Sequence, residues 1–89
     1  AKVEKYPHKE MNVSTMMDYD KSKNVWTVLY ITEQRRSEDA ENWEIARQGF
    51  KSIDRDLNSA LATAQRSAIG LIDSLHSVGK DLFDLEDNV

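Results

Sequence analysis

The chain of 89 residues contains no cysteine, one proline and three glycines. Without cysteine there is no disulfide framework, no zinc–cysteine site and no thiol nucleophile. So little glycine and proline excludes collagen-like and Gly/Pro-rich disordered chains. No apolar run approaches the roughly 20 residues that a membrane-spanning helix needs. Residues 1–10 (AKVEKYPHKE) are charged and lack the apolar core of a signal peptide. With the missing cysteines, this leads to the expectation of a cytoplasmic protein with no membrane contact.

What is present is a charged, moderately apolar chain. Hydrophobic residues make up 39% and charged residues 31%, with 12 basic against 16 acidic side chains and a net charge of -4. The charge is uneven. Residues 1–36 hold seven basic and five acidic residues, and residues 37–89 hold five and eleven. The composition and the hydropathy pattern both change near Ser37.

The pattern implies an α+β fold with an N-terminal β-hairpin followed by one long amphipathic helix, kinked or broken. Residues 1–10 read as a flexible arm, because Tyr6-Pro7 disfavours helix there. Residues 11–89 read as a single domain, with a hairpin at 11–32 and a helical region at 38–86. In 11–19 the odd positions Met11, Val13, Met17 and Tyr19 set up a period-two pattern. Residues 25–32 (VWTVLYIT) are almost all β-branched or aromatic, and Asp20, Ser22 and Asn24 supply turn chemistry between the two runs. From Ser37, a helix N-cap candidate, an apolar stripe runs through Trp43, Ala46, Phe50, Ile53, Leu57, Leu61, Ala64, Ala68, Leu71, Leu75 and Val78 in steps of three and four. Gly49 and Ser52 mark a point where the helix either continues with a kink or breaks. Gly79 marks an end near Val78.

A single helix over 38–78 would span roughly 60 Å. A compact chain of this size has a radius of gyration of about 12 Å. The stripe would overhang its own hairpin, so a homodimer is expected, its helices paired in a bundle through Trp43, Phe50, Ile53, Leu57, Leu61, Leu71, Leu75 and Val78.

Catalysis has little support. The two histidines are His8, in the arm, and His76, in a final helical turn that favours positive charge. There is no phosphate-binding glycine loop and no metal-binding histidine spacing, so no cofactor or metal is expected. Asp18-Tyr19-Asp20-Lys21-Ser22 resembles the opening of an EF-hand calcium loop. However, Lys23 stands where the turn glycine belongs and Leu29 where the bidentate glutamate belongs, so a polar hairpin turn is the better reading. Leu82-Phe83-Asp84-Leu85-Glu86 resembles the clathrin box of endocytic adaptors. That resemblance makes Leu82, Phe83, Leu85 and Glu86 candidates for partner binding, beside the alternative that they form a last amphipathic turn packed on the stripe. Asp87-Asn88-Val89 resembles a PDZ ligand.

The function expected is that of a small acidic, non-catalytic interaction or regulatory protein (an inhibitor, adaptor or chaperone-like factor). It would act as a homo-oligomer on a protein partner whose own charge is basic. The alternative is a dimeric nucleic-acid-binding regulator using Lys21, Lys23, Arg35 and Arg36. Glu38, Asp39 and Glu41 oppose that alternative, since they would repel phosphate.

Overall fold

Three strands precede two helices: β1 (His8–Asp20), β2 (Val25–Ser37), β3 (Glu44–Asp54), α1 (Leu57–Ser77) and α2 (Leu82–Glu86). This computed structural model describes residues 5–86, the last of them by its backbone alone. Residues 1–4 and 87–89 lie outside the described residues, and with them part of the expected arm and the PDZ-like Asp87-Asn88-Val89. The sheet is antiparallel in the order β1-β2-β3. The chain is therefore α+β and contains the expected β-hairpin, with strands longer than 11–32 allows.

Each connection follows from local chemistry. Between β1 and β2, Asp20 Oδ1 accepts from the Ser22 amide at 2.9 Å, the Ser22 hydroxyl at 2.6 Å and the Lys23 amide at 3.3 Å. Asn24 then takes a left-handed φ of 56°, which asparagine tolerates better than most residues. Between β2 and β3, Asp39 Oδ1 accepts from the amides of Glu41 and Asn42, each at 2.9 Å. The α1 N-cap is Asp56, which accepts from the Ser59 amide at 3.0 Å. Helix α1 ends with Lys80 N–H on Leu75 O at 2.8 Å and Gly79 N–H on His76 O at 3.1 Å. That closure requires the positive φ of 71° that Gly79 adopts.

The helical region expected over 38–86 is corrected on its N-terminal side. Residues 44–54 form β3 and pair with β2 from Trp26↔Asp54 to Arg36↔Glu44. Helix α1 begins only at Leu57, and Ser37 is the last residue of β2 rather than a helix cap. Trp43, Ala46, Phe50 and Ile53 have helical spacing, but two of them share a strand face while Ile53 points the other way. The strand alternation was hidden because the inward positions between Ala46 and Asp54 include polar Gln48 and Ser52. A long β2, with polar and apolar residues on both faces, supplies pairing that local helical spacing does not outweigh.

Helix α1 packs across one face of β2 and β3. Its contact line is made of alanines: Ala60, Ala64 and Ala68 are 0%, 1% and 1% exposed. Small side chains at every fourth position bring the helix close to the sheet. Val28 packs with Ala60 and Ala64 at one end, flanked by Tyr30, Leu57 and Leu61. At the other end Ala46, Leu75, Leu82 and Phe83 form a second cluster with Leu71 and Leu85 against it. Gln34 joins the start of α2 to the sheet: its Oε1 accepts from the Leu82 amide at 3.0 Å, and its Nε2 donates to Asp81 Oδ2 at 3.3 Å.

Candidate functional site

The surface features that remain after packing lie on the sheet. Paired residues of an antiparallel sheet share a face. The register therefore puts Met11, Val13, Thr15, Met17 and Tyr19 of β1 on the same face as Val28, Tyr30 and Phe50. Helix α1 lies over β2 and β3 and leaves β1 open. Met11, Val13 and Met17 are 44%, 52% and 53% exposed. Tyr19 is held more firmly: its ring lies 5.1 Å from that of Trp26, and its hydroxyl donates to Asn24 Oδ1.

Among the described residues, no element covers the opposite face. There Met16 pairs with Leu29, Ser14 with Ile31, and Thr27 with Ile53. Met16 and Ile53 are well exposed, while Leu29 and Ile31 are half-buried by their neighbours. Gly49 sits beside Leu29, and a Cβ there would come within 3.3 Å of the Leu29 Cδ1. The absence of a side chain at Gly49 keeps this apolar strip low and flat. Met16, Met17, Asp18, Thr27 and Leu29 line a shallow hollow of about 210 Å³ at one end of the strip. At the other end the strip meets charge: Glu33 accepts from Arg47 at 2.8 Å, and Arg35 lies 3.8 Å from Glu10. Trp43, on the loop before β3, places its ring 5.3 Å from the Arg35 guanidinium and 6.4 Å from the ring of His8.

The structure scatters the residues expected at a helical oligomer seam. Leu57, Leu61, Leu71 and Leu75 turn inward against the chain's own sheet. Phe50 is half-buried on that same face of β3, Ile53 lies on the opposite face, and Trp43 is in a loop. Val78, 66% exposed, caps α1. They form no single seam, because the continuous helix that would have aligned them does not exist. The tail residues named for docking are also largely committed: Leu82 and Phe83 are 2% and 6% exposed and Leu85 packs beside them. The side chain of Glu86 lies outside the described residues. Asp81 and Asp84 cap α2 reciprocally, with Phe83 N–H on Asp81 Oδ1 at 3.0 Å and Asp81 N–H on Asp84 Oδ2 at 2.8 Å.

The four basic residues named for nucleic acid do not meet. Lys21 and Lys23 are in the hairpin turn, and Arg35 and Arg36 lie near the far end of β2, roughly 40 Å away at 3.4 Å per strand residue. Both arginines already face acids: Arg35 has Glu10 and Glu33 within 4 Å, and Arg36 donates to Glu44 at 2.8 Å. Arg36 is also held between the rings of Tyr6 and Phe83, at 4.0 and 3.9 Å.

His76 lines a surface hollow of about 340 Å³ with Lys9, Gln34, Lys80 and Asp81. Asp81 is the carboxylate nearest to a catalytic partner for it, but both its oxygens are engaged in capping α2 and binding Gln34. Among the described residues, no group of three or more His, Asp or Glu side chains is arranged to hold a metal ion, and no helix is long and apolar enough to cross a membrane. The electrostatic perturbations are structural as well. Asp39 is held well below the usual carboxylate range by the Asn42 and Glu41 amides, and Asp20 is lowered by the Ser22 hydroxyl.

Comparison with protein-family models, with curated proteins and with solved structures finds no match to this chain.

The open β1 edge is the feature that sequence reasoning missed, although residues 11–17 (MNVSTMM) carry no charge on either face. The second face of β2 was legible in outline: Val25, Leu29 and Ile31 on one face and Trp26, Val28 and Tyr30 on the other already call for cover from another chain or element.

Proposed function

We propose that this protein is a small acidic, non-catalytic interaction protein that acts as a homo-oligomer and takes a partner protein on the uncovered face of its sheet. The observation that carries this reading is the apolar strip of Met16, Leu29, Ile31 and Ile53, which no element among the described residues covers. Met16 and Ile53 stand exposed on either side of half-buried Leu29 and Ile31, with Lys51 beside Leu29, and apolar side chains clustered in this way mark interaction sites more often than singly scattered ones do. The partner's chemistry follows from the hollow at the end of the strip. Methionine and leucine walls accept an apolar side chain, and Asp18 at the rim favours a basic residue beside it. Methionine walls adapt to more than one shape, which suits an adaptor or chaperone-like role.

The nucleic-acid reading is the weaker one. Arg35 and Arg36 are paired with acids at one end of β2, and Lys21 and Lys23 are at the other. That spacing offers phosphate no continuous track.

Affinity capture with the wild-type chain and with Leu29→Lys tests the proposal, with Gln65→Lys on the exposed side of α1 as the control. A protein retained in near-stoichiometric amount by the wild type and by Gln65→Lys, but lost with Leu29→Lys, is the expected result. Equal capture by all three, or none by the wild type, overturns it.

A further inference from the structure

We propose that β1 is completed by β1 of a second copy, antiparallel about a two-fold axis through Ser14, to give a continuous six-stranded sheet. This rests on the homo-oligomer part of the reading above and names where the copies meet.

Strand β1 is a sheet edge of 13 residues. One side of it pairs with β2 along its full length, from His8↔Ser37 to Asp20↔Val25. Among the described residues, no strand pairs with its other side, so β1 is an edge of the sheet. Proteins that keep such an edge single shorten it, bend it with a bulge, or place proline or charge on it. Along the middle of β1 none of these devices is present: the register is unbroken and residues 11–17 contain no charge and no proline, and the charges Lys9, Glu10, Asp18 and Asp20 stand only at its ends.

A second copy fits this edge by symmetry and by chemistry. A two-fold axis that pairs a strand antiparallel with itself must stand perpendicular to the sheet. Residues then pair with partners of the same face, and both α1 helices lie on one side. The midpoint of His8–Asp20 is Ser14, so an axis there overlaps the whole strand. Met11 then meets Met17 of the second copy, and Val13 meets Thr15. These are the side chains that α1 leaves exposed, and the pairing sets them against one another. At the ends His8 faces Asp20. Glu10 faces Asp18, an acidic pair tempered by Arg35, which lies 3.8 Å from Glu10. Sliding the axis by one residue to Thr15 is worse, because Lys9 then faces Lys21 and Glu10 faces Asp20.

The surface area agrees. The chain exposes 6434 Å², against about 5300 Å² expected for a compact monomer of its mass. The excess goes with the elongated sheet and its uncovered β1, which a second copy there would reduce. The radius of gyration, 16.1 Å, likewise exceeds the roughly 12 Å of a compact single chain.

The lack of cysteine makes the test clean. Light scattering of the full chain at micromolar concentration should give twice 10.2 kDa, and Val13→Lys should return it to a folded monomer, its fold checked by circular dichroism. Under mild oxidation Ser14→Cys should cross-link into a dimer. Asn12→Cys alone should not, because its two copies stand roughly 14 Å apart along the strands. Asn12→Cys mixed with Met16→Cys should cross-link again, since that register sets them opposite. A wild-type mass of 10.2 kDa at every concentration up to 100 µM overturns the inference. So does a dimer in which Ser14→Cys fails to cross-link, or one that Val13→Lys leaves intact. A monomer that still captures a partner through Leu29 leaves the functional proposal standing. A cross-linked dimer with no Leu29-dependent partner leaves only the dimer.

Discussion

Val28 and Met17 are paired neighbours on one face of one sheet, yet Val28 is 0% exposed and Met17 is 53% exposed. The difference comes from α1, which covers β2 and β3 and stops short of β1. Apolar residues on the covered half hold the fold together. Equally apolar residues on the open half contribute little to a single chain and are available for association. The same sheet is therefore divided by one helix into a structural half and a binding half.

The sharpest way to test that division is to remove a large side chain from each half. Phe83 is 6% exposed in the cluster with Ala46, Leu75 and Leu82. Phe83→Ala should cost about 3–5 kcal/mol, by lost transfer energy and the cavity left behind. Met17→Ala, on the open half, should change stability by less than about 0.5 kcal/mol. Urea unfolding followed by circular dichroism measures both. Similar losses for the two would erase the distinction.

A smaller effect is expected at the polar joint of the covered half. Gln34 is 9% exposed and binds both the Leu82 amide and Asp81. Gln34→Ala leaves a buried amide without its acceptor, at about 1–2 kcal/mol. Hydrogen exchange should show early loss of protection in α2 while β1 and β2 keep theirs. Uniform loss over the whole sheet would mean that α2 is not a separately anchored element.

The covered and open halves were not equally legible in the sequence. The hairpin could be read because residues 25–32 are almost all β-branched or aromatic and Asp20 and Asn24 carry recognisable turn chemistry. The end of α1 could be read because Gly79 follows a basic last turn. Strand β3 could not, because Trp43, Phe50 and Ile53 fall by accident at helical spacing while Gln48 and Ser52 occupy strand positions facing the helix. Reading β3 as helix passes over Asp56, the real N-cap of α1, and produces an over-long apolar seam. The candidate site suffered for the same reason. Leu57, Leu61, Leu71 and Leu75 looked unsheltered only while the strand beneath them was missing. Which strand stays open is a property of topology, since it depends on where α1 lands, and the uncharged run 11–17 becomes a signal only once β1 is known to be an edge.

The two loops at the ends of β2 extend the comparison to pH. The Asn42 and Glu41 amides hold the Asp39 carboxyl well below the usual range in the folded chain. A depressed folded value means that the stabilisation is present above the ordinary carboxylate pKa, about 3.9, and is lost as pH falls towards the folded value. Asp39→Asn should therefore flatten the fall of Tm below about pH 4 relative to the wild type. The exposed side chain and the solvent around it keep this effect modest. An unchanged slope would place the acid sensitivity elsewhere.

Gly70 tests whether the outer side of α1 is free. It is a helix-interior glycine, and a Cβ built on it meets nothing within 4 Å. Gly70→Ala should raise stability by about 0.8–1 kcal/mol through helix propensity. It should leave the mass in solution unchanged, because the proposed contact runs through β1. A loss of association in this variant would move the interface onto α1.

The smallest effect separates the two turns themselves. Both need one residue at positive φ: Asn24 at 56° supplies it between β1 and β2, and Ala40 at 65° between β2 and β3. For alanine the left-handed region costs roughly 1–2 kcal/mol. Ala40→Gly removes that strain but gives the unfolded chain more freedom, which takes back about 0.4–1 kcal/mol. A net gain of about 0.5 kcal/mol remains. Asn24→Gly should gain less, because asparagine already tolerates the conformation and its Oδ1 accepts from the Tyr19 hydroxyl. Thermal melts of the two variants side by side decide the order. A larger gain at Asn24 than at Ala40 would show that the β2–β3 loop, with Asp39 binding its amides, bears no strain at Ala40.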